Sequence, residues 1–320
     1  MPTLLDVADR AGVSKSTASR ALGHPQLVAP ATVDRVLAAA MELGFVPNRA
    51  ARELARGRTG VIAFVVPTLT NTFFTPIIGG AQDRAAGQDQ QVTVAVNELE
   101  TAEDLIRYQR LAQQVDGVVM VAPRCSDENL SPAVAVRPTV LVDRELEGTD
   151  SVVADTASAF VELLGALAES GHQKVAFLSG PDRSWQSGQR TRALRTVAGE
   201  CGIDLSVLGP YPPTFAAGAG SVQAILETGA PVVLPYATDL GLGALFALHH
   251  VGRASWSASP EPGDPGVAVV GRPGAPMVDV DGAGLGRCAM DQLLTLLAST
   301  HRRAPAQPRN ERLPVPVTWP

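Results

Sequence analysis

The chain has 320 residues, of which 45% are hydrophobic and 18% charged, enough for two or three globular domains and too apolar for a disordered chain. No window approaches 18 uninterrupted apolar residues, and the opening MPTLLDVADR has neither a basic n-region nor an apolar h-region, so no membrane span or secretion signal is supported and the cytoplasm is the expected compartment. The net charge of -6 conceals an asymmetry: residues 1–60 hold eight Lys/Arg against five Asp/Glu (+3), which leaves 18 against 27 (-9) in the rest, so a polyanionic partner is expected for the head alone.

In chain order, Thr3 and Asp6 form a capping-box pattern, and Val7, Ala8 and Ala11 give the helix that follows one apolar side before Gly12 stops it. Ser14 is a fresh N-cap, with Ala18, Ala21 and Leu22 on the buried face of a second helix. A third helix places Val33, Val36, Leu37, Ala40 and Met41 on one stripe and ends at Gly44. Two helices joined by Ala-Gly-Val-Ser make a helix-turn-helix, whose second helix enters the major groove by its N-terminal residues. Lys15, Ser16 and Arg20 can reach base edges there, Arg20 by forking onto a guanine, while the hydroxyls of Ser14, Thr17 and Ser19 suit phosphate oxygens. A solvated helix face is the alternative for that helix taken alone; the turn, the spacing and the basic head favour DNA.

PNRAARELARGRTG follows, a short run in which Asn48 caps a helix with Ala50, Ala51, Leu54 and Ala55 on its apolar side, amid Arg49, Arg52, Arg56 and Arg58. About nine residues make a marginal helix, so DNA and a second copy of the same helix are the expected stabilisers, with Leu54 as a wedge in the minor groove; a plain linker is the alternative. From Gly60 the texture changes to apolar strands at 61–67, 91–96, 117–123 and 138–143, separated by helices near 73–88 and 102–114. A second series begins after Asp143: helices near 156–170, 187–201, 220–228 and 239–251 alternate with strands KVAFLSG, PVVLPYA and GVAVVG, and a short strand lies near Leu205. Two βα series imply two doubly wound lobes with a cleft at the strand ends. RASWSASPEPGDPG (253–266) reads as a flexible surface loop.

TLLDVADRAGVSKSTASRAL with VPNRAARELARGRTGVIAFVVP resembles the N-terminal signature of the lactose/galactose repressor (LacI/GalR) family, and VDGVVMV, LVDRE, GHQKVAFLSGP and DLGLGALFAL continue the resemblance through the body. The fold it implies is an all-α helix-turn-helix head (1–46), a hinge helix or linker (47–59) and an α/β two-lobed, periplasmic-binding-protein-like effector domain (60–320). Its first lobe would span about 60–155 and 281–309, and its second about 156–280 and 310–320. The implied protein is a transcription regulator, in the main a repressor, acting as a homodimer on a double-stranded DNA operator in the bacterial cytoplasm, on the nucleoid. No leucine-heptad tail of the kind that makes some relatives tetramers precedes Pro320, so a dimer is expected.

The implied DNA-contacting set is Thr3, Ser14, Lys15, Ser16, Thr17, Ser19, Arg20, Asn48, Ala51 and Leu54; the implied effector set is Phe73, Phe74, Asp143, Arg190, Thr238, Asp239 and Arg272. Several positions depart from the family pattern. Val28-Ala29 stands where Val-Ser is usual, Val33 where an arginine often follows the threonine, Thr72 replaces a proline, and Thr238 precedes Asp239 in place of an asparagine. In VVGRPGAP, Pro273 replaces the aspartate that holds sugar hydroxyls in many members. The effector is therefore expected to be sugar-like, or a phosphorylated or otherwise anionic metabolite gripped by Arg190 and Arg272; a constitutive repressor with a degenerate cleft is the alternative. A buried Asp143–Arg190 interlobe salt bridge is the structural alternative for those two residues.

An enzyme is disfavoured: the first strand is not followed by Gly-x-Gly-x-x-Gly, and no Walker-type Gly-Lys-Ser/Thr or Gly-x-Ser-x-Gly occurs. The five histidines lack metal-binding spacing, and Cys125, Cys201 and Cys288, without a Cys-x-x-Cys, read as buried thiols. No cofactor, metal or membrane partner is expected.

Overall fold

The computed structural model describes residues 2–23, 25–45, 58–255, 266–271, 275–300 and 307–319. The chain divides into two units, 1–60 and 61–320, each taken by itself.

In the first unit, α1 (Leu4–Ala11) starts from the capping box: the Asp6 amide donates to Thr3 Oγ1 at 3.3 Å, and the Thr3 amide donates to Asp6 Oδ2 at 2.7 Å. Gly12 ends the helix at φ 63°, a left-handed position that suits glycine. Helix α2 (Lys15–Gly23) is capped by the Ser14 hydroxyl, which accepts from the Thr17 amide at 3.1 Å. A 3-10 turn (Pro25–Leu27) leads to α3 (Pro30–Glu42), and Arg10 of α1 is ion-paired with Glu42 of α3. Val7, Ala8, Ala18, Ala21, Val36, Ala39 and Ala40 form the core. The stripe expected on α3 is only partly the buried one. Leu37 is 45% and Met41 83% exposed, while Ala39 is buried, because the packed face runs Val33, Val36, Ala40 and Leu43, one of two i, i+3, i+4 series that the apolar residues of this helix allow.

The second unit holds two parallel sheets. The first has the order β11-β5-β4-β3-β1-β2, from β1 (Val61–Val66), β2 (Gln91–Val96), β3 (Gly117–Val121), β4 (Thr139–Val142), β5 (Asp150–Ala154) and β11 (Asn310–Leu313). Alternate residues of β1 feed opposite faces. Ile62, Phe64 and Val66 pack on α4 (Phe74–Ala86) and α12 (Gly282–Thr300), whereas Ala63 and Val65 share a core with α5 (Ala102–Ala112) and α6 (Asp127–Val134). Helices α4 and α12 meet through glycines. A Cβ on Gly286 would sit 1.9 Å from the Ile77 carbonyl oxygen, and one on Gly80 2.0 Å from that of Ala283.

The second sheet has the order β7-β6-β8-β9, from β6 (Lys174–Leu178), β7 (Asp204–Leu208), β8 (Val232–Pro235) and β9 (Ala268–Val269). Its two faces are covered by α7 (Thr156–Glu169) with α8 (Trp185–Cys201), and by α10 (Val222–Thr228) with α11 (Thr238–His250). The short α9 (Phe215–Gly220) packs on α11. The helix expected near 220–228 is α10; the separate α9 before it was not anticipated, and the two meet at Ser221, whose buried hydroxyl donates back to the Gly218 carbonyl at 2.7 Å. Strand β5 and helix α6 were not anticipated at all.

The lobe assignment also needs a correction. Residues 310–313, expected in the second lobe, form the edge strand of the first sheet, pairing in parallel with Ser151–Ala154. Only β12 (Val317–Thr318) lies beyond the crossing, antiparallel to β10 (Met277–Val278). The thiols differ as well: Cys125 is buried, but Cys201 is exposed and Cys288 half-buried.

Candidate DNA-contacting head and ligand cleft

On the head, α2 presents Lys15, Ser16, Ser19 and Arg20 to solvent, opposite buried Ala18 and Ala21, with Thr17 half-buried. The Ser14 hydroxyl lies 2.9 Å from Ser16 Oγ and 2.8 Å from Thr17 Oγ1, so the three hydroxyls at the helix N-terminus form one cluster. Ser14 is also the cap, and Thr3 has its hydroxyl on Asp6 Oδ2 at 2.9 Å; both serve the fold as well as any phosphate. A row of exposed donors beginning at a helix N-terminus is the geometry of major-groove reading. Asn48, Ala51 and Leu54 lie outside the described residues.

In the body, strand ends of the two sheets open on a cavity of about 390 Å³. Phe73, Phe74, Asp143, Arg190, Thr238 and Asp239 all line it, although they are far apart in sequence. Arg272 lies outside the described residues. Phe74, the first residue of α4, is mainly a core residue of the first lobe; Phe73 is half-buried, its ring edge-on to Phe74 at 6.1 Å. Thr238 opens α11 exposed, and Asp239 accepts a hydrogen bond from the Thr72 hydroxyl of the first lobe at 3.2 Å.

Asp143 sits just past β4 at φ 54° and is buried. Its Oδ1 accepts from the Ala154 amide at 3.0 Å and from Gln186 Nε2 at 2.8 Å. Burial raises its pKa, against the lowering pull of these donors and of the Arg190 charge. Arg190, on α8, donates from Nε to Thr156 Oγ1 at 2.8 Å and from Nη1 to the Tyr236 carbonyl at 2.7 Å. Its guanidinium lies 5.0 Å from the Phe160 ring centroid and 4.8 Å from that of Tyr236. Burial pulls its pKa down from the usual arginine value, and it remains a cation. No direct Asp143–Arg190 salt bridge forms among the described residues; the two are linked through Gln186 and Thr156. That replaces the expected structural alternative.

Sequence reasoning missed Phe160, Gln186, Tyr236 and Asp279 of the lining. Gln186 stands four residues before Arg190, one helical turn away on the same face, and Tyr236 directly follows β8, so both carried a positional signal. The Tyr236 ring packs so closely on Gly180 that a Cβ there would lie 2.6 Å from it. Among the described lining residues three carboxylates (Asp143, Asp239, Asp279) face one guanidinium (Arg190).

Comparison with known proteins agrees with both halves. Residues 3–48 match the model for bacterial regulatory proteins of the lacI family, and residues 59–261 match the model for periplasmic binding proteins and the sugar binding domain of the LacI family. The HTH-type transcriptional regulator AscG of Escherichia coli (strain K12) is 32% identical over 270 residues, 79% of either chain. The HTH-type transcriptional repressor CytR of the same strain is 30% identical over 256 residues, 76% of this chain and 74% of the relative. Among solved structures, a complex of the transcriptional regulator CelR with cellobiose is 25% identical with a TM-score of 0.68, covering 99% of this chain and 98% of that one. The lac repressor dimer bound to operator and the anti-inducer ONPF, at 24% identity, shares the fold with a TM-score of 0.81 over 99% of this chain and 97% of that one. With a family model matching well over half of its length and relatives at 30% identity or more across three quarters of it, the chain belongs to the LacI family of transcription regulators, with a DNA-binding helix-turn-helix head and a periplasmic-binding-protein-like ligand domain.

Proposed function

We propose that this protein is a homodimeric, operator-binding repressor of the bacterial cytoplasm, without catalytic activity, whose DNA affinity is set by a small neutral, hydroxyl-bearing effector in the cleft of residues 61–320. The observation that carries the ligand class is the state of the two buried charged groups. Asp143 keeps Oδ2 and Arg190 keeps Nη2 unshared among the described residues, one acceptor and one donor in a cavity that Phe73, Phe160 and Tyr236 also line. A ring with neighbouring hydroxyls satisfies both. An anion would meet only one free arm of the guanidinium and three carboxylates, so the neutral class is favoured over the phosphorylated one. For the second copy, Phe215, Leu242 and Phe246 offer an exposed apolar face on the second lobe, the two rings 5.5 Å apart.

Effector binding would shift the equilibrium between lobe arrangements and, through it, the operator affinity. The test is binding of the purified protein to its own upstream DNA, titrated with matched sugars, nucleosides and sugar phosphates. Release by a neutral compound is expected. Response only to phosphates would overturn the charge argument, and specific binding indifferent to every compound would establish the constitutive reading, which Pro273 and the direct interlobe bonds of Gln186 and Thr72 favour.

A further inference from the structure

Four side chains at the floor of the cleft form one directed hydrogen-bond chain. Arg190 Nε–H donates to Thr156 Oγ1 at 2.8 Å, the Thr156 hydroxyl donates to Gln186 Oε1 at 3.0 Å, and Gln186 Nε2 donates to Asp143 Oδ1 at 2.8 Å. Gln186 Nε2 also donates to the Ala154 carbonyl at 3.0 Å, while the Ala154 amide donates to Asp143 Oδ1 at 3.0 Å. Every link between the side chains runs from the cation toward the carboxylate, so each donor polarises the next. The carboxamide has one workable orientation. Turned over, Oε1 would face the Asp143 carboxylate, and the Thr156 hydroxyl proton would lose its acceptor.

The chain also crosses between lobes. Asp143 directly follows β4 and Ala154 ends β5 of the first sheet, whereas Thr156, Gln186 and Arg190 belong to helices on the second. We propose that Gln186 is the positioning residue of this cleft: a relay that ties the lobes at the cleft floor and holds Asp143 Oδ2 and Arg190 Nη2 as the two arms presented to a ligand. What the arms receive rests on the effector reading above; the relay rests on the protein's own geometry.

If Gln186 merely filled space, Gln186→Met would be tolerated, since it preserves length and volume. A relay cannot survive it. The readout is native-state hydrogen exchange of the Ala154 amide in the full-length protein, with the Phe177 amide of β6 as internal reference. Gln186→Met is expected to lower Ala154 protection at least tenfold at pH 7 and to leave Phe177 unchanged.

Gln186→Glu adds a signature that loss of packing would not produce. The charged and titratable groups facing this position are Asp143 from the end of β4 and Arg190 from α8, with the Tyr236 hydroxyl held by Ser184 at 3.0 Å and Asp239 and Asp279 elsewhere on the lining. Two carboxyls in contact beside one guanidinium retain a proton, which lifts the carboxyl titration above its unfolded value. The link is then present at low pH, where the acid donates to Asp143 as the amide does, and is lost as pH rises through the raised pKa. Ala154 protection in Gln186→Glu should match wild type below the ordinary carboxylate range, fall relative to wild type by up to about tenfold per pH unit from there to the raised pKa, and level off above it. Unchanged protection in Gln186→Met, or a flat ratio in Gln186→Glu, overturns the relay. A wild-type protein that answers to no compound in the operator assay counts against the effector reading alone, because no ligand enters the exchange experiment.

Discussion

Replacing Ala29 by serine should stabilise the DNA-binding head. Ala29 is the N-cap of α3, at φ -58° and ψ 137°, and makes no side-chain capping bond, whereas Thr3 and Ser14 cap α1 and α2 through their hydroxyls. The Thr32 and Val33 amides already reach the Ala29 carbonyl, at 2.9 and 3.1 Å, and Pro30 has no amide, so the Ala31 amide is the orphan of the first turn. A serine hydroxyl at this position accepts from the second or third amide of the helix and is worth about 1 kcal/mol. A head of this size has a total stability of roughly 2–7 kcal/mol at the usual 0.05–0.15 kcal/mol per residue. The gain is therefore a sizeable share, equivalent to about a fivefold shift between open and folded head. Hydrogen exchange of α1–α3 peptides in the intact protein should show protection up by that factor, with β6 peptides unchanged. Head protection that stays level or falls would refute both the capping geometry and the view that Ala29 weakens the head.

Gly286→Ala should destabilise the effector domain by about 1–3 kcal/mol or more, because its Cβ would lie 1.9 Å from the Ile77 carbonyl oxygen and force α4 and α12 apart; Gly79→Ala, with nothing within 4 Å of the new methyl, should be neutral or stabilising. Thermal melts of the two variants moving together would contradict that packing. Asp143→Asn should be more stable than wild type near neutral pH, with the gap closing toward pH 4. The native carboxyl titrates above its unfolded value because it is buried, so its stabilising contribution is present at low pH and lost as pH rises through the folded pKa. Denaturation from pH 4 to 8 measures the gap, and one that widens toward acid would count against it. Arg20→Ala should cost about 1–3 kcal/mol of operator binding and relax specificity at one base pair, while leaving the oligomeric state intact; an unaltered footprint would remove Arg20 from the reading face.

Much of the head was legible because its signals are local. A capping box, a left-handed glycine and small residues at helical spacing act within one or two turns, and Thr3, Asp6, Gly12, Ala18 and Ala21 do what their spacing says. The face of α3 was not, since two apolar stripes overlap on it, and only packing against α1 and α2 buried Val36 and Ala39 while leaving Leu37 and Met41 outside. In the body, alternating strands and helices announced two lobes, and the ends of strands marked where Phe73, Asp143, Thr238 and Asp239 would gather.

The helix-turn-helix, the two βα series and six residues of the cleft lining (Phe73, Phe74, Asp143, Arg190, Thr238 and Asp239) were legible in the sequence, because these follow from periodicity, caps and strand-end position. Tertiary structure alone decided that β11 completes the first sheet, since strand pairing across 159 residues, as in the Ser151–Asn310 contact, leaves no local mark. It likewise decided that Asp143 and Arg190 meet through Gln186 and Thr156 and not as an ion pair. A hydrogen-bond chain depends on distances and donor directions that exist only once two lobes have closed on one another.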